Sequence, residues 1–111
     1  MNNKYLVEVI GEYDYMAPWT NDKEPKSMGE EFEELKSYLK KSNVGHLIEV
    51  SFIDIKKDGL DQTGHSDVWT LMAKGKLPPI VKVNNMPVTY NKFQKDIVLE
   101  MVNFLIEEDN K

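Results

Sequence analysis

The chain has two histidines and no cysteine among its 111 residues, and those two facts bound its chemistry. Thiol–disulfide exchange needs a thiolate to attack a sulfur, so the chain carries no nucleophile for it. Disulfides and zinc–thiolate sites are excluded on the same ground. His46 and His65 lie far apart in sequence, each in or beside a loop. Glu49 follows His46 by three, but in an extended segment that offset sets the two side chains on opposite faces. Asp58, Asp61 and His65 could share a loop, yet their spacing matches neither a calcium loop nor a zinc ligand set, and they read as solvated surface groups. The glycines Gly11, Gly29, Gly45, Gly59, Gly64 and Gly75 stand singly, so neither phosphate-cradling fingerprint occurs. No Gly-x-Ser-x-Gly is present, and no serine has a histidine and a carboxylate in a triad-like context. The residues therefore point to no catalytic group, no metal and no cofactor.

The side chains that remain as candidates are aromatic. Tyr13, Tyr15, Met16, Pro18 and Trp19 form the densest cluster in the chain. Tyrosine, tryptophan and methionine are enriched at interfaces, where one end of the side chain is apolar and the other wet. The competing reading is that these residues fold down over the core of a small domain short of apolar material. Trp69 has the same two readings. Asp54, between Ile53 and Ile55, reads as a carboxylate at the strand end that either reaches water or caps a neighbouring backbone group.

Composition sets the class. The chain is 41% hydrophobic and 30% charged, the profile of an ordinary globular domain. At this length one domain with one hydrophobic core is expected, residues 1–111, with its ordered core at about 4–106. The net charge is −5, from 19 acidic and 14 basic residues, and the basic residues come in pairs such as Lys40-Lys41 and Lys56-Lys57 rather than as a stripe. That argues against a nucleic-acid partner and against anionic membrane. Apolar runs stay too short to span a bilayer, and the first residues lack the apolar stretch of a secretory signal, so a cytoplasmic location is expected.

The elements that must position the candidates follow from periodicity. Residues 4–10 read as a strand ended by Gly11, and residues 12–26 as a loop broken by Pro18 and Pro25. Ser27 with Glu30 three residues on is a capping-box pattern. Phe32, Leu35, Tyr38 and Leu39 continue it as one helical stripe. Residues 47–55 read as a second strand. Ile48, Val50 and Phe52 fall on one face and Leu47, Ile53 and Ile55 on the other, as expected for a strand covered on both sides. A polar loop over 56–63 and a short helix over 64–73 follow, then the break at Leu77-Pro78-Pro79. Residues 80–83 and 86–90 read as a hairpin closed by Asn84-Asn85, with Pro87 confining its second strand to the sheet edge. A last helix is expected from Asn91, with Gln94 completing a box-like pattern. The order is β-α-β-α-β-β-α, an α/β sandwich with a four-stranded mixed sheet and three helices. A crossover between parallel first and second strands would be right-handed. The aromatic loop would then lie at the carboxyl end of the first strand, where open α/β sheets generally hold ligands.

This order resembles the thioredoxin fold, and the block from Leu77 to Asn85 resembles its proline, strand and turn segment, which implies a cis bond before Pro79. The chain is also similar to the YuzD-like group of small bacterial thioredoxin-fold proteins. The pieces that carry that likeness are Val9-Ile10-Gly11, the stretch 12–15, Met16-Ala17-Pro18-Trp19 and Ile53-Asp54-Ile55. In that group a Cys-x-x-Cys stands where this chain has Met16 and Trp19. A thioether has no proton to lose and indole has no sulfur, so the resemblance implies the scaffold and its surface without the redox activity. The reading is a redox-inactive domain that binds a protein partner or its own copy as a homodimer, through Tyr13, Tyr15, Met16, Pro18, Trp19, Trp69 and Pro79. The alternative is a small-molecule or peptide binder, or an enzyme without thiol chemistry, using the cleft beside Pro79.

Overall fold

The computed structural model describes residues 4–16 and 26–110. Strand β1 (Tyr5–Gly11) leads through helix α1 (Met28–Lys40) and a 3-10 turn (Gly45–Leu47) to β2 (Ile48–Asp54). A single turn, α2 (Ile55–Asp58), and helix α3 (Asp67–Ala73) precede the hairpin β3 (Ile80–Val83) and β4 (Met86–Thr89), and α4 (Lys95–Asp109) closes the domain. The sheet order is β2-β1-β3-β4. β2 runs parallel to β1, with Tyr5 opposite Ile48 and Gly11 opposite Asp54. β3 runs antiparallel to β1, and β4 antiparallel to β3 at the edge, where Pro87 needs no ladder partner for a missing N–H. This is a thioredoxin-like α/β sandwich.

Alternation along β1 divides the core in two. Tyr5, Val7 and Val9 point to the face covered by α1 and α4, where they meet Phe32, Leu35, Leu39, Val98 and Val102. Ile10 points the other way, with Ile53 and Ile80, against Val68 of α3 and Leu60 of the loop before it. Covering a buried leucine such as Leu39 is worth about 2 kcal/mol, so helices that bring a stripe of such residues are held mainly by packing. Leu47 belongs to the first cluster, not to the face of Ile53 as alternation from β2 suggests. The 3-10 turn explains this, since Leu47 precedes the strand and does not follow its period of two.

Local chemistry sets the ends of the elements. Ser27 Oγ accepts from the Glu30 N–H at 3.1 Å and Glu30 Oε1 accepts from the Ser27 N–H at 3.4 Å, so both halves of the capping box are formed. Asn84 and Asn85 both take positive φ, 48° and 69°, which suits the twist of a two-residue hairpin. The Pro78–Pro79 bond is cis, as the resemblance implied. Two helices start later than their patterns suggest. Gly64 has φ 81° and Asn91 has φ 68°, left-handed backbone that no right-handed helix can include. α3 therefore begins at Asp67, and α4 begins at Lys95 without a side-chain cap from Gln94. The stretch expected as loop from Lys56 begins with the turn α2, because Asp54 Oδ1 accepts the Lys56 N–H at 2.9 Å and caps it.

Candidate functional site

The segment after β1 is tied down by backbone. The Gly29 N–H donates to Tyr13 O at 2.8 Å, the Met28 N–H to Tyr15 O at 2.7 Å, and Met16 forms an isolated antiparallel bridge with Ser27. Residues 13–16 thus lie along the amino-terminal turn of α1. Asp54 secures them from β2, its Oδ2 accepting the Tyr13 N–H at 3.2 Å while its Oδ1 caps α2. The carboxylate is buried and works as a brace between backbone segments.

With the segment held, its side chains divide. Tyr13 turns inward and meets the Phe52 ring edge-on at 5.2 Å. It also covers Gly29, where an added Cβ would come within 2.4 Å of the ring, so glycine is required for this close approach. Burial, with the charge of Glu33 beside it, pushes the Tyr13 phenol above its ordinary value. Tyr15 and Met16 turn outward and are about half exposed, 47% and 51%. They border a cleft of about 350 Å³ whose other walls include Asp14, Asp54, Lys56 and Lys57.

Lys56 and Lys57 also form one side of a second cleft, of about 330 Å³, whose far wall is Trp69. Trp69 is 51% exposed, and its indole N–H donates to Asp61 Oδ1 at 3.2 Å, which holds the ring out along the surface. The two clefts share the lysine pair, so Tyr15 and Met16 on one side and Trp69 on the other flank α2 at the carboxyl end of β1 and β2. Charges of both signs lie between them: Lys56 pairs with Glu12 at 3.5 Å. Pro79 is buried and presents no surface of its own. Its neighbour Pro78 lies close to Gly11, beside the buried Met28 sulfur. Pro18 and Trp19 lie outside the described residues.

No family model matches the chain, and no curated protein does. A solved structure does. The chain is similar in structure to SA0789 of Staphylococcus aureus. The TM-score is 0.67 at 18% sequence identity, over 90% of this chain and 89% of that one. SA0789 is described as a protein of unknown function, so the likeness establishes the shared fold and no activity. With no cysteine in the chain, thiol redox chemistry is absent here.

One cluster escaped the sequence reading. Lys82 is 0% exposed, at the centre of β3, directly opposite Glu8 of β1. Its Nζ lies 2.9 Å from His65 Nδ1 and 2.7 Å from Asp67 Oδ1, while His65 Nε2 lies 3.0 Å from Glu8 Oε2. An ammonium can only donate, so Nδ1 accepts and the geometry assigns the His65 proton to Nε2, facing Glu8. His65, read from sequence as a solvated loop residue, is buried at 3% exposure because it completes this chain of four groups. The available signal was Lys82 itself: a lysine inside a strand covered on both faces has no water to reach and must be paired.

Among the described residues, no group of three or more histidines and carboxylates is arranged to hold a metal, and no helix is long and apolar enough to cross a membrane.

Proposed function

We propose that the chain is a thioredoxin-fold domain of the YuzD-like kind that has exchanged redox chemistry for binding, and that it takes a protein partner on the surface bearing Tyr15, Met16 and Trp69. The observation that carries this reading is the outward turn of Tyr15 and Met16 beside an inward Tyr13. Among the described residues of the cluster, Tyr13 takes the competing role of covering the core, while two large side chains stay half exposed at the end of the sheet where α/β folds place ligands. The mixed charges of Lys56, Lys57, Glu12 and Asp61 suit the polar rim of a protein interface better than a site for one small ion.

The test is a pair of surface variants, Tyr15→Ser/Met16→Ser and Trp69→Ser, compared with the native chain in pull-downs from the source cell and in sedimentation equilibrium. A captured protein, or a mass of twice 12.9 kDa, that is lost in both variants supports the reading. A captured set and a mass unchanged in both would overturn it. The cleft of about 350 Å³ supports a second reading, a peptide or small molecule held beside Tyr15. A thermal shift with a peptide and small-molecule library, abolished by Tyr15→Ser, would favour that version. Disulfide reduction by the purified chain is expected to be nil in either case.

A further inference from the structure

Helix α4 carries an apolar stripe that its own core uses only in part: Met101 packs against the core, while Ile97 and Phe104 stand out to solvent. Val98 and Val102 are fully buried against the sheet. Lys95 lies over the Tyr38 ring of α1 at 5.5 Å, so the flank of α4 that holds Lys95, and by helical spacing Leu99 and Ile106, is the one turned toward α1. Ile97, Met101 and Phe104 fall on the opposite flank, at successive spacings of four and three. Phe104 is 53% exposed, Ile97 39%, and Met101 is half-buried. This flank overhangs the β4 edge of the sheet. Met86, exposed at the start of β4, sits opposite Val83, whose side chain belongs to the core on the α4 side, so Met86 emerges on that same side. The Tyr5 hydroxyl donates to Asp109, which fixes the end of α4 at that end of the sheet. Three large apolar groups with the spacing of a coiled-coil seam, extended by Met86, form a docking surface for a helix.

Charge selects the helix. Asp96, Glu100, Glu107 and Glu108 are exposed along α4, and its one basic residue, Lys95, is turned away over Tyr38. In heptad terms Ile97, Met101 and Phe104 are seam positions, Glu108 is the next of them, and Glu100 and Glu107 border the seam. Antiparallel pairing with a second copy would set those border glutamates against each other, which is unfavourable. An anionic lipid surface is repelled for the same reason.

We propose that the outer flank of α4, with Met86, docks an amphipathic helix of a partner protein whose polar border carries lysine or arginine. This surface is separate from the one bearing Tyr15, Met16 and Trp69, which lies at the other end of β1.

The probe is a synthetic three-heptad peptide with leucine at both seam positions and lysine at the border positions, followed by fluorescence anisotropy at about 0.15 M salt, where long-range attraction is largely screened. Two controls carry the specificity: the same composition scrambled to remove the stripe, and the same stripe with glutamate in place of lysine. The native chain binds the lysine peptide at least about tenfold more tightly than either control, and Phe104→Ser weakens that binding by about tenfold or more, as expected for a central aromatic anchor. The double variant Glu100→Lys/Glu107→Lys reverses the preference and takes the glutamate peptide. These substitutions are at exposed positions. If Phe104→Ser fails to fold, the charge-reversal variant alone decides. Equal binding of the scrambled peptide would overturn the proposal, as would binding insensitive to Phe104→Ser with no reversal in the double variant. A native dimer that Phe104→Ser converts to monomer would assign the surface to a second copy instead.

Discussion

Leu77 and Asn91 bond to each other twice: the Leu77 N–H donates to Asn91 Oδ1 and the Asn91 N–H donates to Leu77 O, both at 2.8 Å. The pair closes the base of the segment that runs through the two prolines and the β3–β4 hairpin. It also accounts for the late start of α4, since Asn91 needs its left-handed backbone, φ 68°, to present both groups to Leu77. Asn91→Asp keeps the acceptor and tolerates that backbone, so stability stays near native. Asn91→Gly keeps the backbone and loses the side-chain bond, at a cost of about 1 kcal/mol. Asn91→Ala loses the bond and adds a strain of about 1–2 kcal/mol. Urea denaturation gives the ranking, and equal losses for glycine and alanine would show that backbone conformation contributes nothing.

Lys82 is fully buried and bonded to His65 and Asp67. Lys82→Met leaves the buried His65 Nδ1 without a donor while the half-exposed Asp67 turns to water, and the expected loss is about 1–3 kcal/mol. Asp67→Asn should lose under about 1 kcal/mol, because that carboxylate is half exposed and water replaces the bond. A double-mutant cycle of Lys82→Met with His65→Ala is expected to give a coupling above about 0.5 kcal/mol. Additive losses would mean that the two side chains do not act as one network.

Alkaline stability reports on the tyrosines. The hydrogen bond to Asp109, then burial, then the charge of that carboxylate push the Tyr5 phenol above its ordinary value of 10.0. The folded state therefore holds the proton more tightly than the unfolded chain does. Its contribution is complete below about pH 10 and is lost as pH rises through the raised folded value. The urea midpoint of the native chain should fall more steeply above pH 10 than that of Tyr5→Phe, with Tyr13→Phe removing a further part of the slope. Identical slopes in all three proteins would rule out a protonated Tyr5–Asp109 bond in solution.

Gly29→Ala sets a methyl group against the Tyr13 ring, which lies 2.4 Å from the position of an added Cβ. The ring is rigid and must leave its edge-on contact with Phe52, at an expected cost of about 1–3 kcal/mol. Adding Tyr13→Ala should make the second substitution cheaper than it is alone, and a near-ultraviolet circular dichroism change should accompany the first. Gly11→Ala meets the Met28 sulfur instead, a flexible thioether that reorients more easily, and should cost less.

What the sequence determined alone are features settled by residues close together along the chain. The capping box of Ser27 and Glu30 spans one helical turn, and its two hydrogen bonds form wherever that turn forms. The Asn84-Asn85 turn needs only residues that tolerate positive φ, and Pro87 excludes itself from a central strand by lacking an N–H. The stripe of Phe32, Leu35 and Leu39 requires a covering layer whatever that layer is, and so the order of elements could be read almost in full. The absence of thiol chemistry follows from composition, with no structure needed.

The tertiary structure decided whatever depends on partners distant in sequence. Asn91 and Gln94 looked like the start of a helix, but two bonds to Leu77, fourteen residues away, hold Asn91 in a conformation that excludes it. His65 read as a solvated loop residue, but the register of β3 against β1 places Lys82 beside Glu8, and the buried His65 ring bridges the two. The candidate surface divided in the same way. Tyr13 and Tyr15 are two residues apart and share a composition argument, yet Gly29 and Phe52 provide room for one ring, so Tyr13 is taken inward and Tyr15 is left to solvent. Local preference cannot choose between such outcomes, because the free energy that separates them comes from burial and hydrogen bonds made only once the strands are in register.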